Sequence, residues 1–130
     1  MKKLVLLFFL FLSNVGFSQE QISIPVEDVF EVDKVDYPPS YPGGIDNFYV
    51  FFEKNFKKPD VPQLLGKIFI SFIVETDGTL SDIKTLKDVG FGTGDEAVRV
   101  MQLSPKWIPG TISGNRVRVL YTVPIPIQTK

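Results

Sequence analysis

The sequence predicts an α+β fold in which three antiparallel strands form one sheet, in the order second, first, third, with two helices on one face. Three observations carry this expectation. Ile68, Ile70, Phe72 and Val74 recur at every second position of Gly66 to Asp82, the period of a strand with one buried face. Thr76-Asp77-Gly78 interrupts that run with a dipeptide suited to a tight turn, so a second strand folds back over Leu80 to about Lys87. Ile45, Phe48, Phe52 and Phe56 recur instead at helical spacing.

The first helix follows a loop, Pro38-Pro39-Ser40-Tyr41-Pro42-Gly43-Gly44. Asp46 suits the positive end of its dipole, Lys54, Lys57 and Lys58 suit the negative end, and Pro59 and Pro62 stop it. Its aromatic stripe reads as a core face rather than a ligand pocket. After the hairpin, Thr93-Gly94-Asp95-Glu96 fits a capping box opening a second helix from about Gly94 to Leu103. That helix turns Ala97, Val100 and Met101 inward and Arg99 and Gln102 outward, and Pro105 ends it. Trp107, between Pro105 and Pro109, is expected to clamp a corner of the core. Gly114-Asn115 then turns the chain into a last strand, Arg116 to Val123, with Val117, Val119, Tyr121 and Val123 on its apolar face. The second helix returns the chain to the end where the second strand began, so the last strand pairs antiparallel with the first. Pro124 and Pro126 are tolerable only at a sheet edge, which suits that order.

The termini and composition narrow the function. Lys2 and Lys3, the apolar run Leu4 to Leu12 and the polar, small approach through Ser18 read as a secretory signal peptide over residues 1–18. The run is shorter than the ~20 residues needed to cross a bilayer, so a membrane anchor is implied only if the segment is retained. Residues 19–39 read as an extended, loosely attached lead-in, and 40–130 as the domain. Loss of the signal moves the formal charge from −1 to −3, with no basic footprint for nucleic acid. The chain has no cysteine, so an exported domain must hold together through its core; of twelve phenylalanines several are spent in the signal and the rest serve that purpose. A domain of this size buries roughly 65% of its unfolded surface, enough for one modest core.

Enzymatic chemistry has little to work with. Histidine and cysteine are both absent, which removes the usual bases, nucleophiles and zinc ligands. Asp77 and Asp82 flank the hairpin turn, and Asp95 and Glu96 start a helix; neither pair sits in an apolar cleft that would separate two pKa values. Asp77-Gly78 lacks the further oxygen ligands of a calcium loop, and neither Gly43-Gly44 nor Gly90-Phe91-Gly92 has the phosphate-loop pattern. No catalytic residue, metal or cofactor is expected.

From about Pro39 to Ile127 the chain resembles the C-terminal domain of TonB proteins, periplasmic modules that couple an inner-membrane motor to outer-membrane receptors. The resemblance is carried by Tyr41-Pro42-Gly43-Gly44 with Phe48 and Phe52, Asn55-Phe56 with Pro59, and the Gly66 to Gly78 strand and turn. It continues through Asp95-Glu96-Ala97, Pro105-Lys106-Trp107-Ile108-Pro109, and Gly114 with Val117 and Tyr121-Thr122-Val123-Pro124. It implies a periplasmic protein that binds an extended receptor segment, the TonB box, as a strand added beside the last strand, in energy-coupled transport. Main-chain hydrogen bonds would supply affinity and alternate side chains selection. The implied contacts are Arg116, Val117, Arg118, Val119, Leu120, Tyr121 and Thr122, with Arg116 and Arg118 either attracting acidic residues or guarding a solvated edge. Energy-transducing members carry a transmembrane helix and a long proline-rich linker. Here residues 19–39 reach about 70 Å at ~3.4 Å per residue. The alternative is a stand-alone envelope adaptor, or a structural protein that self-associates as a homodimer through the same edge.

Overall fold

A computed structural model describes residues 28–130; the signal-peptide reading and the first part of the lead-in lie outside the described residues. In chain order the elements are β1 (Val29–Glu31), a 3-10 turn (Val32–Lys34), α1 (Ile45–Asn55), β2 (Leu65–Val74), β3 (Leu80–Lys87), α2 (Thr93–Met101), β4 (Gly110–Ile112) and β5 (Asn115–Gln128).

The expected three-stranded antiparallel sheet is corrected to a five-stranded mixed sheet. Its path is β1-β5-β2-β3, with β4 also paired to β5. β1 lies parallel to β5, whereas β2 is antiparallel to both β3 and β5. Two short strands account for the difference. Val29-Phe30-Glu31 is too brief and too acidic in its surroundings to show a period of two. Gly110-Thr111-Ile112 folds back on Asn115-Arg116-Val117 through Ser113-Gly114, both at positive φ. β5 therefore starts one residue earlier than expected. It also runs on through Pro124 and Pro126 to Gln128, paired with β2 from Val74↔Val119 to Leu65↔Gln128 without a shift.

Both helices pack on the face that carries Ile68, Ile70, Phe72 and Val74, all fully buried. From α1 come Phe48 and Phe52, with Phe56 just beyond it; from α2 come Ala97, Val100 and Met101. Removing a side chain such as Phe48 or Phe72 from water is worth roughly 1.5–3 kcal/mol, so this layer dominates stability. No residue of β1 belongs to it. Ile45, expected in the stripe, is 42% exposed.

Trp107 fills the corner predicted for it. It is buried, its ring centroid lies 5.2–5.6 Å from those of Tyr41, Phe48, Phe72 and Tyr121, and its indole N–H donates to Ser104 Oγ at 3.0 Å. Its backbone N–H donates to the Gly78 carbonyl at 2.8 Å, tying this corner to the β2–β3 turn. That turn is a three-residue loop, Thr76-Asp77-Gly78, in which Gly78 alone has positive φ, at 88°. A Cβ at Gly78 would sit 2.2 Å from the Trp107 carbonyl oxygen, so only glycine allows this approach.

The capping box is also corrected. Gly92, in a left-handed conformation, precedes α2 without a side-chain cap, and Thr93 is already helical. The Thr93 hydroxyl instead donates to the Gly90 carbonyl at 2.7 Å. The Glu96 carboxylate accepts from the Lys57 backbone N–H at 2.9 Å and from Arg99, which pulls its pKa below the ordinary value. Those bonds pin α2 to the end of α1.

Candidate peptide-docking rim

β5 carries all seven residues predicted to contact a peptide, and its alternation determines what each can offer. Val117, Val119, Val123, Ile125 and Ile127 point into the core, while Tyr121 packs against Phe72 and Trp107. Arg116, Arg118, Leu120 and Thr122 occupy the opposite face. The backbone alternates too. Thr129 donates its N–H to the Leu64 carbonyl at 2.9 Å on the β2 side, whereas the Pro124 carbonyl accepts from the Tyr49 hydroxyl at 2.8 Å. A proline cannot donate to a ladder, yet the β2–β5 register passes Pro124 and Pro126 undisturbed. Even-numbered residues of β5 therefore turn their backbone groups outward, away from β2. Arg116, Arg118, Leu120, Thr122, Pro124, Pro126 and Gln128 define this outer rim.

β4 bonds to the odd-numbered Asn115 and Val117 through the two-residue turn Ser113-Gly114, so it lies on the side of β5 that faces β2 and leaves the outer rim alone. On the rim itself β1 covers three residues, pairing Val29↔Arg118, Phe30↔Val119 and Glu31↔Leu120. Beyond Leu120 no strand pairs on this side among the described residues, and two of the next four outward positions are prolines. The seven predicted contact residues, Arg116 to Thr122, thus share one strand, but the free edge expected for them is filled at Arg118 to Leu120 by the chain itself. Arg116 and Val117 lie before that cover; Tyr121 and Thr122 lie past it. There β1 has left the rim through the 3-10 turn, and an open groove of about 550 Å³ is bounded by Glu31, Val32, Asp33, Leu120, Tyr121 and Thr122.

The two arginines differ in what they can offer. Arg118 makes a two-point ion pair with Glu75 at the end of β2, Nε to Oε1 at 2.7 Å and Nη2 to Oε2 at 3.1 Å. Ser81 Oγ donates to the same carboxylate. The Arg118 hydrogen bond, with a smaller contribution from Ser81, holds the Glu75 carboxyl below its ordinary pKa. Arg118 is therefore already engaged in joining β5 to the β2–β3 hairpin. Arg116 is exposed and makes no ion pair among the described residues.

The carboxylates considered for catalysis occupy structural positions. Asp77 Oδ1 accepts from the Thr79 N–H at 3.0 Å and the Thr79 hydroxyl at 2.7 Å, which lowers its pKa. Asp82 lies 3.6 Å from Lys84 in an exposed pair. No group of three or more metal-ligating side chains occurs among the described residues. A cleft of about 920 Å³ at the other end of β5, between Glu53, Lys58, Pro59, Leu65, Pro126 and Lys130, brings together no such group either. Among the same residues no helix is long and apolar enough to cross a membrane.

Sequence reasoning missed both short strands that pair with the first part of β5. For β4 a signal existed, since Thr111-Ile112 and Arg116-Val117 flank the turn residues Ser113-Gly114. For β1 the only signal was Val29-Phe30 between acids. No family model, curated protein or solved structure matches the chain.

Proposed function

We propose that this protein is a peptide-docking domain of TonB type, acting in the periplasm, that receives an extended segment of an outer-membrane receptor along the outer rim of β5. The family likeness rests on the motifs between Tyr41 and Pro124. The observation that favours docking is the pairing of this rim with a separate, short, extended segment, Val29–Glu31, along Arg118 to Leu120. A rim that holds three residues of its own lead-in has the outward N–H and C=O groups that strand addition requires. Because that place is filled, docking proceeds by exchange, with the visiting segment taking the position of β1 and extending beside Tyr121 and Thr122. Pro124 then sets the limit of the paired stretch.

Titration of isotopically labelled protein with receptor-box peptides tests this. The expected result is a saturable shift of the Arg116 to Thr122 amides, with smaller changes at Val29 to Glu31 as β1 leaves. Perturbations confined to β3 or to the cleft beside Pro126 would place binding elsewhere and end the proposal.

A further inference from the structure

The rim already carries a bound segment, and that segment describes its own ligand. We infer that Val29-Phe30-Glu31 is a resident stand-in for the docked peptide. The ligand class is then an extended segment, parallel to β5, with an apolar–aromatic–acidic triplet in an acidic context. The inference rests on the docking reading above and adds to it the chemistry of the ligand and a built-in competitor.

Three features separate β1 from an ordinary edge strand. It pairs through only three residues, of which Val29 is 42% exposed and Glu31 is also exposed, leaving Phe30 alone half-buried. β4, by contrast, is joined to β5 through a two-residue turn and cannot leave alone. Next, the chain beyond β1 is anchored independently of it. Asp36 and Tyr37 donate their N–H groups to the Thr111 carbonyl at 2.9 and 3.2 Å, and the Asp36 carboxylate accepts from the Ser113 N–H at 2.7 Å. Ser40 and Ile108 exchange a further pair of bonds at 3.0 and 2.8 Å. Release of β1 therefore needs rotation only about the 3-10 turn, Val32–Lys34, while the domain stays closed. Last, the rim continues uncovered at Tyr121 and Thr122, so a longer parallel segment gains pairing that β1 does not have. Charge agrees with this occupant. Asp28, Glu31 and Asp33 accompany the triplet, and the exposed Arg116 lies just before the covered part of the rim.

A resident competitor weakens the apparent affinity for a visitor in proportion to the fraction of molecules whose rim is open. Two full-chain variants and one probe, a synthetic peptide copying Asp28 to Lys34, test this. Phe30→Pro unseats β1 without touching the core. Glu31→Cys with Leu120→Cys, opposite one another in register, locks it, and in a chain without cysteine no other disulfide can form. The expected result is peptide binding about tenfold or more tighter to Phe30→Pro than to the natural chain, with amide shifts over Val117 to Thr122. Binding is lost in the oxidised double variant and returns on reduction. Equal affinity of the natural, unlocked and locked proteins, while receptor-box peptides still shift the rim, would remove the competitor and leave the docking reading intact. Failure of every extended peptide to bind Phe30→Pro, with its core amides unchanged, would overturn both. A concentration-dependent dimer of Phe30→Pro that excludes the peptide would assign the rim to a second copy and overturn the inference.

Discussion

The sheet has two outer edges, and the chain defends them by different means. β3 is the bare edge. Its pairing with β2 steps from Phe69↔Lys87 to Ile70↔Thr85, and again from Ser71↔Lys84 to Ile73↔Ser81, so each step puts an extra residue into β3. The second bulge holds Asp82 at a φ of 48°, and the edge also displays Lys84 and Lys87. Bulges bend a strand and charges repel a copy of it, so this edge refuses partners through its own shape. β5 is long and pairs with β2 without a shift, and its outer side is protected by what lies against it: β1, then outward prolines. A bulged edge refuses every strand permanently. A covered edge refuses only while its cover stays.

The largest expected effect removes what the two edges share. Trp107 is bonded to the β2–β3 turn through Gly78 and packs on Tyr121 of β5. Trp107→Ala should cost about 3–5 kcal/mol in urea unfolding, loosening both edges together. A loss below about 1 kcal/mol would show that the corner does not bind them. Next, Pro124→Thr with Pro126→Thr restores two outward N–H groups to the uncovered part of β5. Light scattering should then detect self-association at concentrations where the natural chain and a Lys84→Thr variant stay monomeric. If Lys84→Thr associates more readily, the β3 edge depends on charge rather than on its bulges.

The smallest expected effect concerns the tie between the edges. Glu75→Gln breaks the ion pair that joins Arg118 to the hairpin, at a cost of about 1 kcal/mol near neutral pH, since both side chains are about a quarter exposed (23% and 24%). The pKa of Glu75 is lowered in the folded protein, mainly by Arg118. Its contribution is therefore complete above the unfolded carboxylate pKa and is lost as pH falls through the lower folded value. Unfolding curves of the natural chain and the variant should converge in acid. A constant gap across that range would mean that the charge of Glu75 is not what holds the tie.

Much of this arrangement was legible in the residues. A period of two located β2 and a helical spacing located α1, because each buries one face in a single layer and must repeat at its own spacing. β3 was placed by the turn at Asp77-Gly78, and α2 by the residues Thr93 to Glu96 that open it. Pro124 and Pro126 marked a side of β5 without a neighbouring ladder, although they did not end the strand. What could not be read was the cover. A segment of three residues has no period, and the register that brings Val29 to Arg118 depends on a loop through Asp36, Tyr37 and Thr111 that only the folded chain closes. The capping box failed for a related reason. Its threonine was claimed by the Gly90 carbonyl and its glutamate by Arg99, both close in sequence and competing with the cap, and by the backbone of Lys57, which only the folded chain brings near.

The chain has a single tryptophan, and its ring lies 5.4 Å from that of Tyr121. Indole emission follows polarity and nearby quenchers, and tyrosine passes excitation to tryptophan over such a separation with little loss. Light absorbed by Tyr121, or by Tyr41 at 5.6 Å, will therefore reappear from Trp107. The protein thus carries its own optical gauge of whether this corner stays packed, readable by stopped flow without a dye.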